Sequence, residues 1–286
     1  MKAPSVSFEF FPPKTDEAEA NLWKTVRKLE TLNPKFVSVT YGAGGTTRDR
    51  SLGTLARLCS ETKIKPAAHL TCVGASKAEI KDVVQAFQKV GVRHILALRG
   101  DSPEGVGAKF TPHPDGYANA ADLVRGIHEL GDFEVSVSTY PEKHPESVSI
   151  EEDLAFLADK VDHGATRAIT QFFFRNEGFL RLRDRIAARG INVQLIPGIL
   201  PITNFARAQD FAKKCGAFVP PEMIKRFEGL DNDPEARQLM AAMVAAEQIA
   251  ALQREGVEDF HFYTLNRAEL TYAICRMVGV SATPLA

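Results

Sequence analysis

A carboxylate stands inside the first apolar run of the chain. Ser5-Val6-Ser7-Phe8-Glu9-Phe10-Phe11 is followed at once by Pro12-Pro13. Strand side chains alternate faces, so Val6, Phe8 and Phe10 share one apolar face and Ser5, Ser7, Glu9 and Phe11 the other. Glu9 therefore sits among small and aromatic neighbours, near the end of a strand that the prolines stop. Burial disfavours the charged form of a carboxyl and raises its pKa, which is how a general acid stays protonated near neutral pH. The alternative is a Glu paired to an Arg or Lys, the usual state of a buried charge. Further polar residues close other apolar runs: Thr40, His69, Arg99 with Asp101, Tyr140, Gln171, and Tyr263 with Arg267.

The elements that would carry these residues alternate. Strand patterns cover Ser5–Phe11, Phe36–Thr40, Pro66–Thr71, His94–Arg99, Glu134–Ser138, Arg167–Phe172, Asn192–Ile196 (ended by Pro197-Gly198) and Asp259–Tyr263. Helical spacing follows each: Ala18, Leu22, Val26 and Leu29 after the first, and Ile80, Val83, Val84 and Phe87 after the third. Ser76 with Glu79 forms a capping box, and Ser149 with Glu152 caps another helix. Asp233-Pro234 starts a long helix as N-cap and first-turn proline. Eight strands separated by helices predict a (β/α)₈ barrel over residues 1–286, with extra helices after the seventh strand. An open doubly wound sheet is the alternative, and no strand–turn–helix carries a full dinucleotide fingerprint for it. In a barrel the site lies at the C-terminal strand ends, where the polar residues above converge.

Composition excludes several function classes. With 44% apolar and 25% charged residues the chain reads as globular. A net charge of −1 without a basic cluster argues against a nucleic-acid partner. No apolar stretch reaches the ~20 residues of a membrane span, and no signal peptide is expected. Cys59, Cys72, Cys215 and Cys275 lack pairing or metal spacing and predict free thiols in the cytoplasm. No metal site is expected, because the histidines lack ligand spacing and neither Cys-x-x-Cys nor His-Glu-x-x-His occurs. Gly42-Ala43-Gly44-Gly45 reads as a tight turn that lets backbone approach a ligand. Plainer readings stand beside the functional ones. Asp101 suits a turn or cap, His69 and Phe211 suit core packing, and Phe172-Phe173-Phe174 reads as core.

Taken together, Phe8-Glu9-Phe10-Phe11-Pro12-Pro13, Val37-Ser38-Val39-Thr40-Tyr41-Gly42, His69-Leu70-Thr71-Cys72, Ala97-Leu98-Arg99-Gly100-Asp101, Tyr140-Pro141-Glu142 with His144-Pro145-Glu146, Thr170-Gln171-Phe172-Phe173, Pro197-Gly198-Ile199-Leu200-Pro201 and Phe262-Tyr263-Thr264-Leu265-Asn266-Arg267 resemble the methylenetetrahydrofolate reductase family. The resemblance covers nearly the whole chain in order and is nearest the bacterial type. It implies a barrel holding FAD, with NADH or NADPH as reductant. The implied reaction turns 5,10-methylenetetrahydrofolate into 5-methyltetrahydrofolate by a ping-pong mechanism and supplies methyl groups for methionine synthesis. It makes Glu9 the general acid and Asp101 the charge that holds the cationic folate intermediate. Gln171, Phe211 and Arg267 become substrate contacts. For the cofactors it implies Thr40, Tyr41, Ala43, His69, Arg99, Gly100, Asp101, Tyr117, Ala118, Tyr140, His144, Asp153 and Lys160. It also implies a homodimer or homotetramer. Two departures stand out: a longer loop from Ser102 to Tyr117, and Arg207 where the family pattern has Gln. With no regulatory region after the last helix, inhibition by S-adenosylmethionine is not expected. The rival functions are a folate-dependent methyltransferase without flavin and a non-catalytic flavin-binding scaffold.

Overall fold

Parallel strands are buried on both faces, so their sequences read as continuous apolar runs and need helices outside them. A computed structural model of the chain describes residues 2–41, 47–101 and 110–283. Its eight strands are β1 (Ser5–Phe10), β2 (Val37–Val39), β3 (Pro66–Thr71), β4 (His94–Leu98), β5 (Glu134–Thr139), β6 (Arg167–Phe172), β7 (Gln194–Ile199) and β8 (Asp259–Tyr263). They form one closed parallel barrel in chain order, with β8 pairing back onto β1. The fold is a (β/α)₈ barrel. Its helices are α1 (Asp16–Glu30), α2 (Arg48–Glu61), α3 (Lys77–Lys89), α4 (Ala120–Leu130), α5 (Ile150–Asp162), α6 (Asn176–Ala188), α7 (Phe205–Cys215), α8 (Pro221–Phe227), α9 (Pro234–Arg254) and α10 (Ala268–Met277). The extra helices fall between β7 and β8. No helix among the described residues is long and apolar enough to cross a membrane.

Local chemistry starts these helices where the sequence predicts. Ser76 and Glu79 cap each other's backbone at α3. Ser149 accepts the Glu152 N–H at α5, while the Glu152 carboxylate takes the N–H of Val148. Asp233 caps α9 with Pro234 in the first turn. Along β1, Val6, Phe8 and Phe10 are buried in the main core, which runs between strands and helices. Ser7 and Glu9 take the opposite parity, toward the barrel axis. An inner cluster of Phe36, Ala67, Leu96, Ile169 and Ile196 fills the axis below the site.

The ends of β2, β4 and β5 and the start of β7 shift by one or two residues from expectation, and the ends of β1 and β7 depart in ways that shape the site. Phe11 lies beyond β1 at the cavity rim, 41% exposed, its backbone held by two hydrogen bonds to the Asn266 amide. The seventh strand does not stop at Pro197-Gly198 but runs through them to Ile199. A register shift between Ile169 and Phe172 on β6 accommodates the proline there. The Gly198 N–H turns to the Thr170 hydroxyl at 2.9 Å instead of a ladder carbonyl. A Cβ at Gly198 would lie 2.3 Å from the Thr170 carbonyl oxygen and 2.6 Å from the Tyr263 ring. Glycine is thus what lets Tyr263 cross this strand and donate to that carbonyl at 2.7 Å.

Candidate active site

The C-terminal strand ends open into a cavity of about 700 Å³, within the range of about 300–1,000 Å³ usual for small-molecule sites. Glu9 lies at its floor, 8% exposed. Among the described residues no Arg or Lys pairs with it. Its charged-group neighbour is His69, whose Nε2 lies 3.4 Å from Oε2 without hydrogen-bond alignment. Burial pushes Glu9 up to about 8 and, with a smaller effect from His94, pushes His69 down to about 3. At neutral pH the floor therefore holds a protonated acid beside a neutral imidazole. Tyr263, also at the floor, is pushed well above the ordinary phenol range, chiefly by burial.

Asp101 lines the rim and is exposed. It is placed by Gly100, whose φ of +84° favours glycine and where a Cβ would come within 2.5 Å of Val73. Gln171 lies beside Tyr140, and its side-chain oxygen accepts the Phe172 N–H at 3.0 Å. Phe211 reaches in from α7, 46% exposed, and stacks on Phe172 at 5.3 Å.

Charged groups of both signs line the β4–β5 side: Arg99, His144 and Lys160 among Glu146, Glu152, Asp153 and Asp159. Arg99 makes a two-pronged ion pair with Glu146 at 2.7 and 2.8 Å. Lys160 reaches from α5 to donate to the Ser138 carbonyl at 2.7 Å, and burial lowers its pKa to about 8. Asp153 accepts the His144 N–H at 2.8 Å and the Ser147 hydroxyl, which fixes the intervening turn. Two cations, a histidine and backbone beside apolar Leu96, Leu98 and Ile169 form a donor set suited to a diphosphate-bearing cofactor with a flat ring.

Of the residues expected at the site, Glu9, Thr40, Tyr41, His69, Arg99, Gly100, Asp101, Ala118, Tyr140, His144, Asp153, Lys160, Gln171 and Phe211 line this one cavity. Tyr117 does not. Its ring is buried against α4, where Gly126 leaves it room. Arg267 is exposed at the N-cap of α10, and Arg207 is exposed in the first turn of α7; neither lines the cavity. Ala43 and its glycine turn lie outside the described residues, as does the 102–109 part of the loop before Tyr117. Sequence reasoning missed Phe156, half exposed on the cavity wall, and the ion-pair role of Glu146. Phe156 had a signal, since Asp153, Phe156 and Lys160 share one face of α5 at helical spacing.

Comparison with known proteins decides the family. The family model for methylenetetrahydrofolate reductase matches residues 1–279. The chain belongs to the methylenetetrahydrofolate reductase family. It is 51% identical over 276 residues to the 5,10-methylenetetrahydrofolate reductase of Pectobacterium carotovorum subsp. carotovorum, covering 96% of this chain and 90% of that one. Against the Escherichia coli enzyme of the same name it is 49% identical, covering 96% and 91%. Methylenetetrahydrofolate reductase (NADH) 1 of Arabidopsis thaliana is 34% identical, and the match spans 48% of that longer chain. Among solved structures, a Clostridium thermocellum protein described as binding two copies of 5-methyl-5,6,7,8-tetrahydrofolic acid superposes with a TM-score of 0.63 at 13% identity, covering 97% of this chain and 94% of that one. That likeness is one of fold.

Proposed function

We propose that this chain reduces 5,10-methylenetetrahydrofolate to 5-methyltetrahydrofolate, with FAD in the cavity and NADH or NADPH as reductant. The observation that carries the reading is the buried carboxyl of Glu9 on the cavity floor, without an Arg or Lys partner among the described residues, below the exposed carboxyl of Asp101 at the rim. Bound FAD would supply hydride transfer between nicotinamide and folate. Arg99, His144 and Lys160 would hold its diphosphate, Asp153 its ribose or adenine, and Tyr41, His69, Gly100, Ala118 and Tyr140 its remaining edges, while Thr40 would touch the nicotinamide cofactor.

Glu9 gives its proton to the folate as the five-membered ring opens to a cationic iminium. Asp101 then favours that cation by opposite charge. Gln171 offers both an amide donor and an acceptor, and Phe211 a partly exposed aromatic face, so either folate or nicotinamide would occupy the same place in turn. The 5-methyl product is the kind of methyl donor that methionine synthesis consumes. The likeness to a barrel described as binding a 5-methyl folate agrees with this substrate class. A flavin-free methyltransferase gives no reason for the set of expected FAD contacts that lines the cavity together with Glu9. The test is direct: protein purified without added cofactor should be yellow and release FAD on denaturation. Colourless protein that takes up no supplied FAD overturns the reading.

A further inference from the structure

The turn between β8 and α10 is strained, and it is tied to the strand that carries Glu9. Leu265 and Asn266 both lie in the left-handed region, with φ of +51° and +56°. Asn tolerates that region through its short polar side chain, whereas a leucine there is uncommon. Backbone of this kind persists only where its surroundings over-determine it, and it gathers at functional sites. Within the turn the Asn266 N–H donates to the Thr264 hydroxyl at 3.1 Å and the Arg267 N–H to the Thr264 carbonyl at 2.9 Å. From α1 the Thr25 hydroxyl donates to the Asn266 carbonyl at 3.1 Å.

The remaining bonds reach β1, and chemistry fixes their directions. A carbonyl only accepts, so the Thr264 hydroxyl donates to the Glu9 carbonyl at 2.6 Å. The Asn266 amide spans Phe11. Its oxygen accepts the Phe11 N–H at 2.8 Å, and its nitrogen donates to the Phe11 carbonyl at 2.9 Å. From the other side the Thr40 N–H donates to the Phe10 carbonyl at 2.9 Å. β8 ends at Tyr263, opposite Glu9, and Pro12-Pro13 bring no N–H. The turn's side chains therefore take over the backbone groups that the β8 ladder no longer reaches. The Glu9 carboxyl itself is held by no hydrogen bond among the described residues, since His69 Nε2 stands 3.4 Å away without alignment. Its aim is left to packing and to the backbone that carries it.

We propose that the Thr264-Leu265-Asn266 turn is a clasp that positions the acid. The Thr264 hydroxyl and the Asn266 amide fix the backbone from Glu9 to Phe11, and with it the direction in which Glu9 presents its proton to folate. The inference rests on Glu9 being the acid of the reductase reading. Thr264 and Asn266 are positioning residues, since they act through Glu9.

A double-mutant cycle tests the clasp. Asn266→Gly permits the left-handed backbone and removes the amide. In the parent background it should slow hydride transfer from reduced flavin to folate by about 10–100-fold, the scale of loss from a small misplacement, and leave flavin reduction by NADH or NADPH within about threefold. In the Glu9→Gln background, where no proton is aimed, the same substitution should change the folate step by less than about twofold. Thr264→Val should behave as Asn266→Gly does, and Thr264→Ser, which keeps the hydroxyl, as the parent does. Equal slowing by Asn266→Gly in both backgrounds, or none in the parent, overturns the proposal. If Asn266→Gly fails to fold, Thr264→Val takes its place in the cycle. A second readout needs no turnover. The carboxyl infrared band that Glu9→Gln removes should shift or broaden in Asn266→Gly and Thr264→Val and return in Thr264→Ser. A band identical to the parent's in every variant overturns the proposal. A parent that fails to reduce folate, or a Glu9→Gln variant that is not slowed, would refute the reductase reading instead, and the infrared comparison still decides whether the clasp aims the carboxyl.

Discussion

At the scale of single residues, the account turns on two carboxyls with opposite environments. Glu9 is buried, which pushes its pKa up to about 8, while Asp101 is exposed at the rim. That division matches an acid and a charge stabiliser, because surroundings rather than residue type set the role. Asp101→Asn should slow hydride transfer from reduced flavin to folate by on the order of 10²–10³-fold, the usual loss of one preorganised electrostatic contact. Reduction of the flavin by nicotinamide should slow much less, and stopped-flow traces separate the two. Equal small effects on both would return Asp101 to a turn role. Glu9 also leaves a mark on stability. Its pKa is raised from 4.5 to about 8 by burial, so between those values the native state holds a proton the unfolded chain has released. Stability therefore falls as pH rises through that window, by up to about 1.4 kcal/mol per pH unit from this group. Gln has no proton to hold. Denaturant unfolding of Glu9→Gln and the parent should show the variant gaining relative stability from about pH 4.5 to about 8. A difference that stays flat with pH would mean that Glu9 is ionised in the native protein.

At the scale of elements, close approaches of backbone and ring place the site. Gly198 lets Tyr263 cross β7, and Gly100 lets the strand end turn Asp101 to the rim. Gly198→Ala puts a Cβ 2.3 Å from a backbone oxygen that cannot swing away. Overpacking of this kind typically costs ~1–3 kcal/mol, to be read as a shift in the denaturation midpoint. A shift near zero would mean the β6–β7 ladder is slack. Short apolar runs made β1, β3, β6 and β8 legible in the sequence, and the capping residues made α3 and α9 legible. The end of β7 was not, because Pro-Gly reads locally as a stop and only the neighbouring strand's register shift keeps it in the sheet. Tyr117 was misplaced for a related reason. Its partner Gly126 lies on the following helix, and no local pattern shows that a ring fills the gap. Phe211 read locally as core, yet α7 presents it to the cavity, a tertiary placement that helical spacing alone cannot give. The strand-end residues were legible because barrel topology sends every such end to one face.

At the scale of the whole molecule, the proposed reaction asks one cavity to serve two large partners of a bound flavin. Gln171 and Phe211 line the same cavity, and on the proposed reading folate and nicotinamide would take one place there in turn. Steady-state kinetics should therefore be ping-pong, with parallel double-reciprocal lines at several fixed folate concentrations. Intersecting lines would require both ligands to bind at once and would contradict a shared place.

The central claim is that Glu9 supplies a proton to folate and nothing to nicotinamide, and Glu9→Gln in half-reaction kinetics tests it most directly. The variant keeps the shape and hydrogen bonding of the side chain without a proton to donate, and general acid catalysis is typically worth about 10²–10⁴-fold. Glu9→Gln protein should stay yellow and accept hydride from NADH or NADPH within roughly tenfold of the parent rate, a barrier change under ~1.4 kcal/mol. Its reduced flavin should then reoxidise with 5,10-methylenetetrahydrofolate slower than the parent by about that 10²–10⁴ factor. Folate reduction near the parent rate would contradict the account and leave Glu9 a structural carboxyl on the barrel floor.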